Sequence, residues 1–415
     1  MPFAWTSRFC RIAAPRGLVG CARRVAAILL AGAILAVADA GSVKAQKRDD
    51  GGFQTSIPHA ILIDAESGSV LFERNADDLV YPASLAKLMT AEVVFNELKQ
   101  GNITLDDEAI ISENAWRTGG APSHTSSMFA AIHSRVRVED LLRGVIIQSG
   151  NDAAIALGEA LGGNEAAFGV MMTKRAREIG LTKSVFTNAT GLHSPGMQVT
   201  ARDLAKLARH IIRTYPEFYK IYGEREFTWN KIRQFNRNPL LPWGADGLKT
   251  GFTKESGYGL VASTDQNGLR LIVVVMGAKS DKERADEARK LLEWGFRSFE
   301  SRLLFAEGQT VGEAKVYGGE KGYARLVGPG PIRLMVPRNA NERIIARVTY
   351  TGPLPAPVVS GRPAGVLKVW RGDTIALEVP LRTGEDISKG SLSQRAFDAV
   401  AESVIALFRV GAERL

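Results

Sequence analysis

Apolar residues along this chain switch between two spacings, and the switches mark out its elements. Ile57–Asp64 and Val70–Glu73 are short, mostly apolar runs on either side of Glu66-Ser67-Gly68, and they read as two strands joined by a turn. From Ser84 to Leu98 the spacing becomes helical, with Leu85, Leu88, Met89, Val93, Val94 and Leu98 as the apolar positions. Leu141–Ile147 runs into Ser149-Gly150-Asn151, and an Ala-rich helix follows through Leu161. Thr200-Ala201-Arg202-Asp203 has the form of a capping box and predicts a helix through Ile212. Strands return at Leu260–Ser263 and Leu269–Met276 around the turn Asp265-Gln266-Asn267-Gly268. Asp281 to Phe299 then reads as an amphipathic helix with Ala285, Ala288, Leu291, Leu292 and Trp294 among its apolar positions. Strands at both ends with helices between and after predict an α+β domain over roughly 57–300, with a mostly helical insertion over about 104–245.

After about Leu304 the pattern changes to short alternating strands bounded by Gly, Pro and Asn: Arg325–Val327, Ile332–Val336, Ile344–Thr349, Val366–Trp370 and Thr374–Val379. Arg371-Gly372-Asp373 reads as a hairpin turn. These residues, 301–390, predict a small all-β domain, and no grouping of His, Cys or carboxylates there would carry chemistry. The tail 391–415 is helical and amphipathic: Arg395, Asp398, Glu402, Arg409 and Glu413 gather on one side, opposite Leu392, Phe397, Val400, Val404, Leu407 and Phe408. Such a face suits either a membrane interface or a docking surface.

Charge and cysteine content change the picture at the N-terminus. Arg8, Arg11, Arg16, Arg23 and Arg24 precede the apolar stretch Val25–Ala38, which is too short to span a bilayer. Ala38-Asp39-Ala40 and Val43-Lys44-Ala45 are both suitable cleavage sites, so residues 1–45 read as a secretory signal peptide. Cleavage after Ala45 leaves 370 residues, enough for two domains, and lowers the net charge from +9 to +4. Most of the basic excess therefore belongs to the leader and is no argument for nucleic acid. Both cysteines, Cys10 and Cys21, lie in the leader, which excludes disulfides, thiol catalysis and cysteine metal sites from an exported mature chain.

Three motifs carry chemistry: Ser84-Leu85-Ala86-Lys87, Ser149-Gly150-Asn151 and Lys249-Thr250-Gly251. Ser84 and Lys87, three residues apart, share a helix face. A serine hydroxyl needs a base at neutral pH, and a lysine serves once burial and a nearby cation lower its pKa. Lys249 is a candidate for that cation. The oxyanion of an acyl transfer needs two donors, for which the backbone N–H groups of Ser84 and Phe252 are candidates. Ser84, Lys87 and Ser149 are thus the catalytic candidates, and Asn151, Lys249, Thr250, Gly251 and Phe252 the substrate-binding ones. His59, His124, His133, His193 and His210 sit in unrelated contexts, which argues against a histidine triad or a metal; no cofactor is expected. Gly119-Gly120 lacks the partners of a phosphate loop and reads as an ordinary turn.

The motif set, with a slightly different middle member, is shared by class A β-lactamases and penicillin-binding proteins. Pro82–Thr90, Gln148–Ala153, Asn236–Leu241 and Asp246–Thr253 together resemble the low-molecular-weight penicillin-binding proteins, serine-type D-alanyl-D-alanine carboxypeptidases of the penicillin-binding protein 5 type. Ala356-Pro357 to Gly365 extends the resemblance into the β domain. It implies a transpeptidase-like α+β domain with a helical subdomain, followed by a β-sandwich. It implies peptidoglycan stem peptides ending in D-Ala-D-Ala as substrates and β-lactams as covalent inhibitors. It further implies that Ser84 attacks, Lys87 is the base, Ser149 and Asn151 relay protons and hold substrate, and Lys249 and Thr250 bind the terminal carboxylate. The tail would lie on the outer face of the inner membrane of an exported, periplasmic enzyme. Phe252 stands where some members of the family carry His. A serine β-lactamase is the nearest rival, but the Glu-x-x-Leu-Asn pattern of class A enzymes is missing after the second motif. A non-catalytic cell-wall scaffold is the other rival, with no use for Ser84 and Lys87 together.

Overall fold

A computed structural model of the chain describes residues 53–338, 343–371 and 374–396. The leader expected over 1–45 and the tail helix beyond residue 396 lie outside the described residues. The first part of the chain comprises β1 (His59–Asp64), β2 (Val70–Arg74), α1 (Lys87–Gln100), β3 (Glu108–Ile110), β4 (Arg135–Arg137), α2 (Val138–Arg143), α3 (Asn151–Gly162) and α4 (Glu165–Glu178). It continues through α5 (Ala201–Thr214), α6 (Pro216–Tyr219), β5 (Glu226–Trp229), β6 (Ile232–Phe235), β7 (Ala245–Thr253), β8 (Gly257–Gln266), β9 (Leu269–Ala278) and α7 (Asp281–Ser298).

Five antiparallel strands form the central sheet in the order β2-β1-β9-β8-β7. Both faces are covered, which is why Leu271–Met276 is apolar throughout instead of alternating. Ile61, Ile63, Val261, Ile272 and Val274 share a core with α1, α3 and α5, while Ala60, Leu62, Leu260, Val273 and Val275 pack with Ala288, Leu291 and Leu292 of α7. Asn267 and Gly268, with φ of 56° and 80°, make the tight β8–β9 hairpin, so both strands run longer than their apolar cores suggested. The insertion is mostly helical as expected, and also holds the small hairpins β3–β4 and β5–β6. Thr200 caps α5, its Oγ1 accepting from Asp203 N at 3.0 Å. The Asp203 carboxylate does not return to complete a capping box; it accepts from Lys183 N, Ser184 N and Ser184 Oγ and ties the preceding loop to the helix.

The all-β part comprises β10 (Phe299–Phe305), β11 (Thr310–Tyr317), β12 (Tyr323–Val327), β13 (Ile332–Pro337), β14 (Ile344–Thr349), β15 (Leu354–Pro355), β16 (Pro363–Arg371) and β17 (Thr374–Thr383). A six-stranded sheet, β14-β16-β17-β12-β11-β15, faces the two-stranded ribbon β10–β13 across a core of Leu326, Leu334, Val336, Leu367, Val369 and Leu381. Met335, between Leu334 and Val336, points the other way and packs with Phe299 in the α7 core, so one strand serves two cores through the two-residue period. Arg371 pairs with Thr374, leaving a two-residue link that fits the expected hairpin; Gly372 and Asp373 lie outside the described residues. Of the expected tail helix only its start is described: Ser391 Oγ accepts from Gln394 N and caps a turn over 392–396. Among the described residues no helix is long and apolar enough to cross a membrane.

Candidate active site

Ser84 lies in a 3-10 turn, Ala83–Ala86, that precedes α1, and not inside the regular helix the spacing predicts. Three residues per turn superpose positions i and i+3, which brings Lys87 directly under Ser84. Lys87 Nζ donates to Ser84 Oγ at 3.1 Å and to the carbonyl of Thr190 at 2.7 Å. Ala83 holds a φ of 48°, in the region that favours glycine, immediately before the serine. Gly191, at φ +79°, backs this turn so closely that a Cβ would lie 1.8 Å from the Ala83 carbonyl oxygen. Thr190 and Gly191 were not legible as site residues, because their role is carried by backbone atoms.

The second motif follows a wide helical turn, Gly144–Gln148, with Ser149 in the left-handed region at φ 66°. Its Oγ is buried and has no partner among the described residues. Asn151 donates through Nδ2 to Thr125 Oγ1 at 2.8 Å, which leaves its buried Oδ1 as an unused acceptor. Asp152 accepts from Ser127 Oγ, Met128 N and Ala130 N, and so pins the 126–130 loop beside the motif. Gly119, read as part of an ordinary turn, is instead a close-approach position: a Cβ there would lie 2.5 Å from Asp152 N.

The third motif lies on β7, the edge strand, which therefore has one row of backbone groups not engaged by a neighbouring strand. Gly251 lets this strand approach the Ser84 turn; a Cβ would meet Pro82 O at 3.0 Å and Leu85 N at 3.2 Å. Lys249 Nζ donates to the Thr250 carbonyl at 3.1 Å. Phe252 is 50% exposed and stacks on Tyr258, ring centres 4.1 Å apart.

These segments enclose a cleft of about 430 Å³, lined by Ser84, Ser149, Thr250, Gly251 and Phe252. Of the other predicted residues, Lys87, Asn151 and Lys249 lie buried behind that lining. Four further lining residues were not picked out from the sequence: Ser126, Arg237, Asp281 and Arg284. Arg237 Nη1 donates to Ser126 Oγ at 2.7 Å. Its segment, Asn236–Leu241, carries part of the family resemblance, which names no role for it.

Burial, and then the Arg237 charge, lower the Lys87 pKa from 10.5 to about 7, against the opposing pull of Asp152 and Glu165. Arg237, which the sequence did not point to, thus joins Lys249 as a cation acting on Lys87, since repulsion between the two lysines is reciprocal. Burial, followed by Lys87, Arg237 and Arg284, pushes the Lys249 ammonium well below the ordinary lysine range, so the two lysines repel each other as expected. A serine hydroxyl, a neutral amine in contact with it, two unpartnered polar atoms and a cationic pocket together suit acyl transfer from a carboxylate-ended substrate.

Residues 43–280 match the family described as D-alanyl-D-alanine carboxypeptidase, and residues 299–389 match the C-terminal domain of penicillin-binding protein 5. The chain belongs to the D-alanyl-D-alanine carboxypeptidase family. It is 42% identical over 346 residues to the D-alanyl-D-alanine carboxypeptidase DacC of Escherichia coli, covering 82% of this chain and 86% of the relative. It is 41% identical over 355 residues to DacA of Haemophilus influenzae, covering 84% and 89%. Among solved structures, penicillin binding protein 5 from Haemophilus influenzae matches with a TM-score of 0.71 and 39% identity, over 81% of this chain and 99% of that one. The ampicillin-bound form of penicillin-binding protein D2 from Listeria monocytogenes matches at 0.53 and 32% identity, over 59% and 99%. Membership makes the chain a serine-type carboxypeptidase, a hydrolase with the fold of penicillin-binding protein 5.

Proposed function

We propose that this carboxypeptidase removes the terminal D-alanine from peptidoglycan stem peptides ending in D-Ala-D-Ala, through an acyl-enzyme on Ser84. The observation that carries the reading is the 3.1 Å contact between Ser84 Oγ and a lysine whose pKa falls to about 7. Neutral Lys87 Nζ takes the Ser84 proton as Oγ bonds to the carbonyl carbon of the penultimate residue. The developing oxyanion faces the backbone N–H groups of Ser84 and Phe252. The C–N bond then breaks while the proton passes from Lys87 through Ser149 Oγ to the leaving nitrogen, and D-alanine departs. Water attacks the ester, gives its proton to Lys87, and Ser84 Oγ recovers a proton as the shortened peptide leaves.

Asn151 Oδ1 is suited to accept an amide N–H of the acyl donor, since its own N–H₂ is held by Thr125. The terminal carboxylate belongs at Thr250, with Lys249, Arg237 and Arg284 around it; its charge would restore the Lys249 ammonium. A β-lactam would acylate Ser84 in the same way, and its leaving nitrogen stays tethered to the acyl group. The Listeria relative supports this through its ampicillin- and cefotaxime-bound forms.

In this reading residues 1–45 are a cleaved leader, 46–300 the catalytic domain, 301–390 the β domain and 391–415 a helix lying on the membrane surface. The enzyme is then exported and acts in the periplasm on the outer face of the inner membrane. The leader pattern and the amphipathic tail support that placement. Peptide mapping after reaction with a labelled penicillin tests the nucleophile: label on the peptide containing Ser84 is expected, and label elsewhere refutes the assignment.

A further inference from the structure

The carboxylate end of the cleft contains an acid of its own. Arg237 and Arg284 line it, Lys249 lies just behind, and Asp281 is the single carboxylate among the described lining residues. Asp281 opens α7, and Arg284 stands one turn later with its Nη2 donating to Asp281 Oδ1. The guanidinium has little else to bind: Nη1 reaches the Gly259 carbonyl at 3.5 Å, and Nε is buried without a partner among the described residues. The Tyr258 ring, itself stacked on Phe252, lies 5.7 Å from Arg284 Cζ and walls the guanidinium on one side. The Arg284 side chain is 6% exposed and that of Asp281 67%. The arginine is therefore anchored, while the acid has water to turn into.

We propose that Asp281 is a resident stand-in for the substrate carboxylate. It holds Arg284 between turnovers, and a carboxylate-ended substrate binds by taking its place. The proposal rests on the reading above that the terminal carboxylate binds at this end of the cleft. Asp281 then acts as a positioning residue that offsets the crowd of cations, weakens every carboxylate ligand and speeds the departure of D-alanine. An ion pair with one solvent-exposed member makes this an effect of about two- to five-fold.

The test compares acylation efficiency by a penicillin with that by its methyl ester, in the full chain and in Asp281→Asn, Asp281→Glu and Arg284→Gln. Asp281→Asn is expected to raise the acid-to-ester ratio about two- to five-fold, and Asp281→Glu, which keeps the charge, to bring it back towards that of the parent. A misfolded fraction lowers both rates alike and leaves the ratio intact. A ratio that falls in Asp281→Asn overturns the proposal, because Asp281 would then be orienting Arg284 for substrate; an unchanged ratio overturns it too. Arg284→Gln separates the two levels. It should lower the ratio, and a ratio it leaves untouched removes the carboxylate reading of this pocket and the Asp281 proposal with it.

Discussion

Lowering the Lys87 pKa from 10.5 to about 7 fixes the shape of the pH–rate profile. The active form is the neutral amine, so acylation rises with pH and levels off above the pKa. At pH 7 about half of the enzyme holds neutral Lys87, against about one molecule in three thousand for a lysine of ordinary pKa. Between pH 6 and pH 8 the acylation efficiency should rise about ten-fold and then flatten, whereas an ordinary lysine would give about a hundred-fold rise with no plateau in that range. Efficiency under second-order conditions, measured with a chromogenic β-lactam, reports the free enzyme and is the appropriate assay. Arg237→Gln removes one of the cations that act on Lys87, so its midpoint should move to higher pH. A profile without a plateau, or a midpoint unmoved in Arg237→Gln, refutes the reasoning from burial and repulsion.

Other outcomes follow from particular contacts. Gly251→Ala places a Cβ 3.0 Å from Pro82 O and should cost about 1–3 kcal/mol of stability, read by thermal melting, and slow acylation as the strand is pushed off Ser84. Thr125→Ala leaves the Asn151 carboxamide N–H₂ without its partner; the peptide KM should rise more than kcat falls, because substrate loses a fixed acceptor. Lys87→Met tests the same desolvation through stability. The unfolded lysine protonates near 10.5 and the folded one near 7, so the parent loses up to about 5 kcal/mol relative to the variant as pH falls from above 10.5 to about 6, with little further change below. Denaturant titrations of both proteins at several pH values would reveal this divergence, and parallel curves would contradict it.

Local pattern exposed much of this molecule because several elements carry their own signals. Four strands of the central sheet, β1, β2, β8 and β9, together with α5 and its Thr200 cap and α7, are set by periodicity and capping that act within a few residues, whereas β7 was not picked out as a strand. β10 and β11 escaped notice. Phe299–Phe305 follows α7 without a break, and Thr310–Tyr317 buries only Ala314 and Val316, so it shows little alternation although β12, with which it pairs, follows directly. The reactive pair was legible because Ser84 and Lys87 are three residues apart, whereas the 3-10 geometry depends on Gly191, more than a hundred residues on. Arg237 belongs to a segment whose resemblance names no role for it, Asp281 and Arg284 reach the cleft from a helix with no motif of its own, and Thr190 contributes its carbonyl. Charge repulsion depends on distances in space, so Lys249 was legible as a cation beside Lys87 only through its motif, and Arg237 was not legible at all.

The central claim meets its most direct test in free D-alanine released from a synthetic stem pentapeptide ending in D-Ala-D-Ala, with the parent chain and Ser84→Ala side by side. Steady release by the parent and none above background by the variant is expected. Release that persists in Ser84→Ala, or a parent that takes up penicillin at Ser84 yet frees no D-alanine, would contradict it.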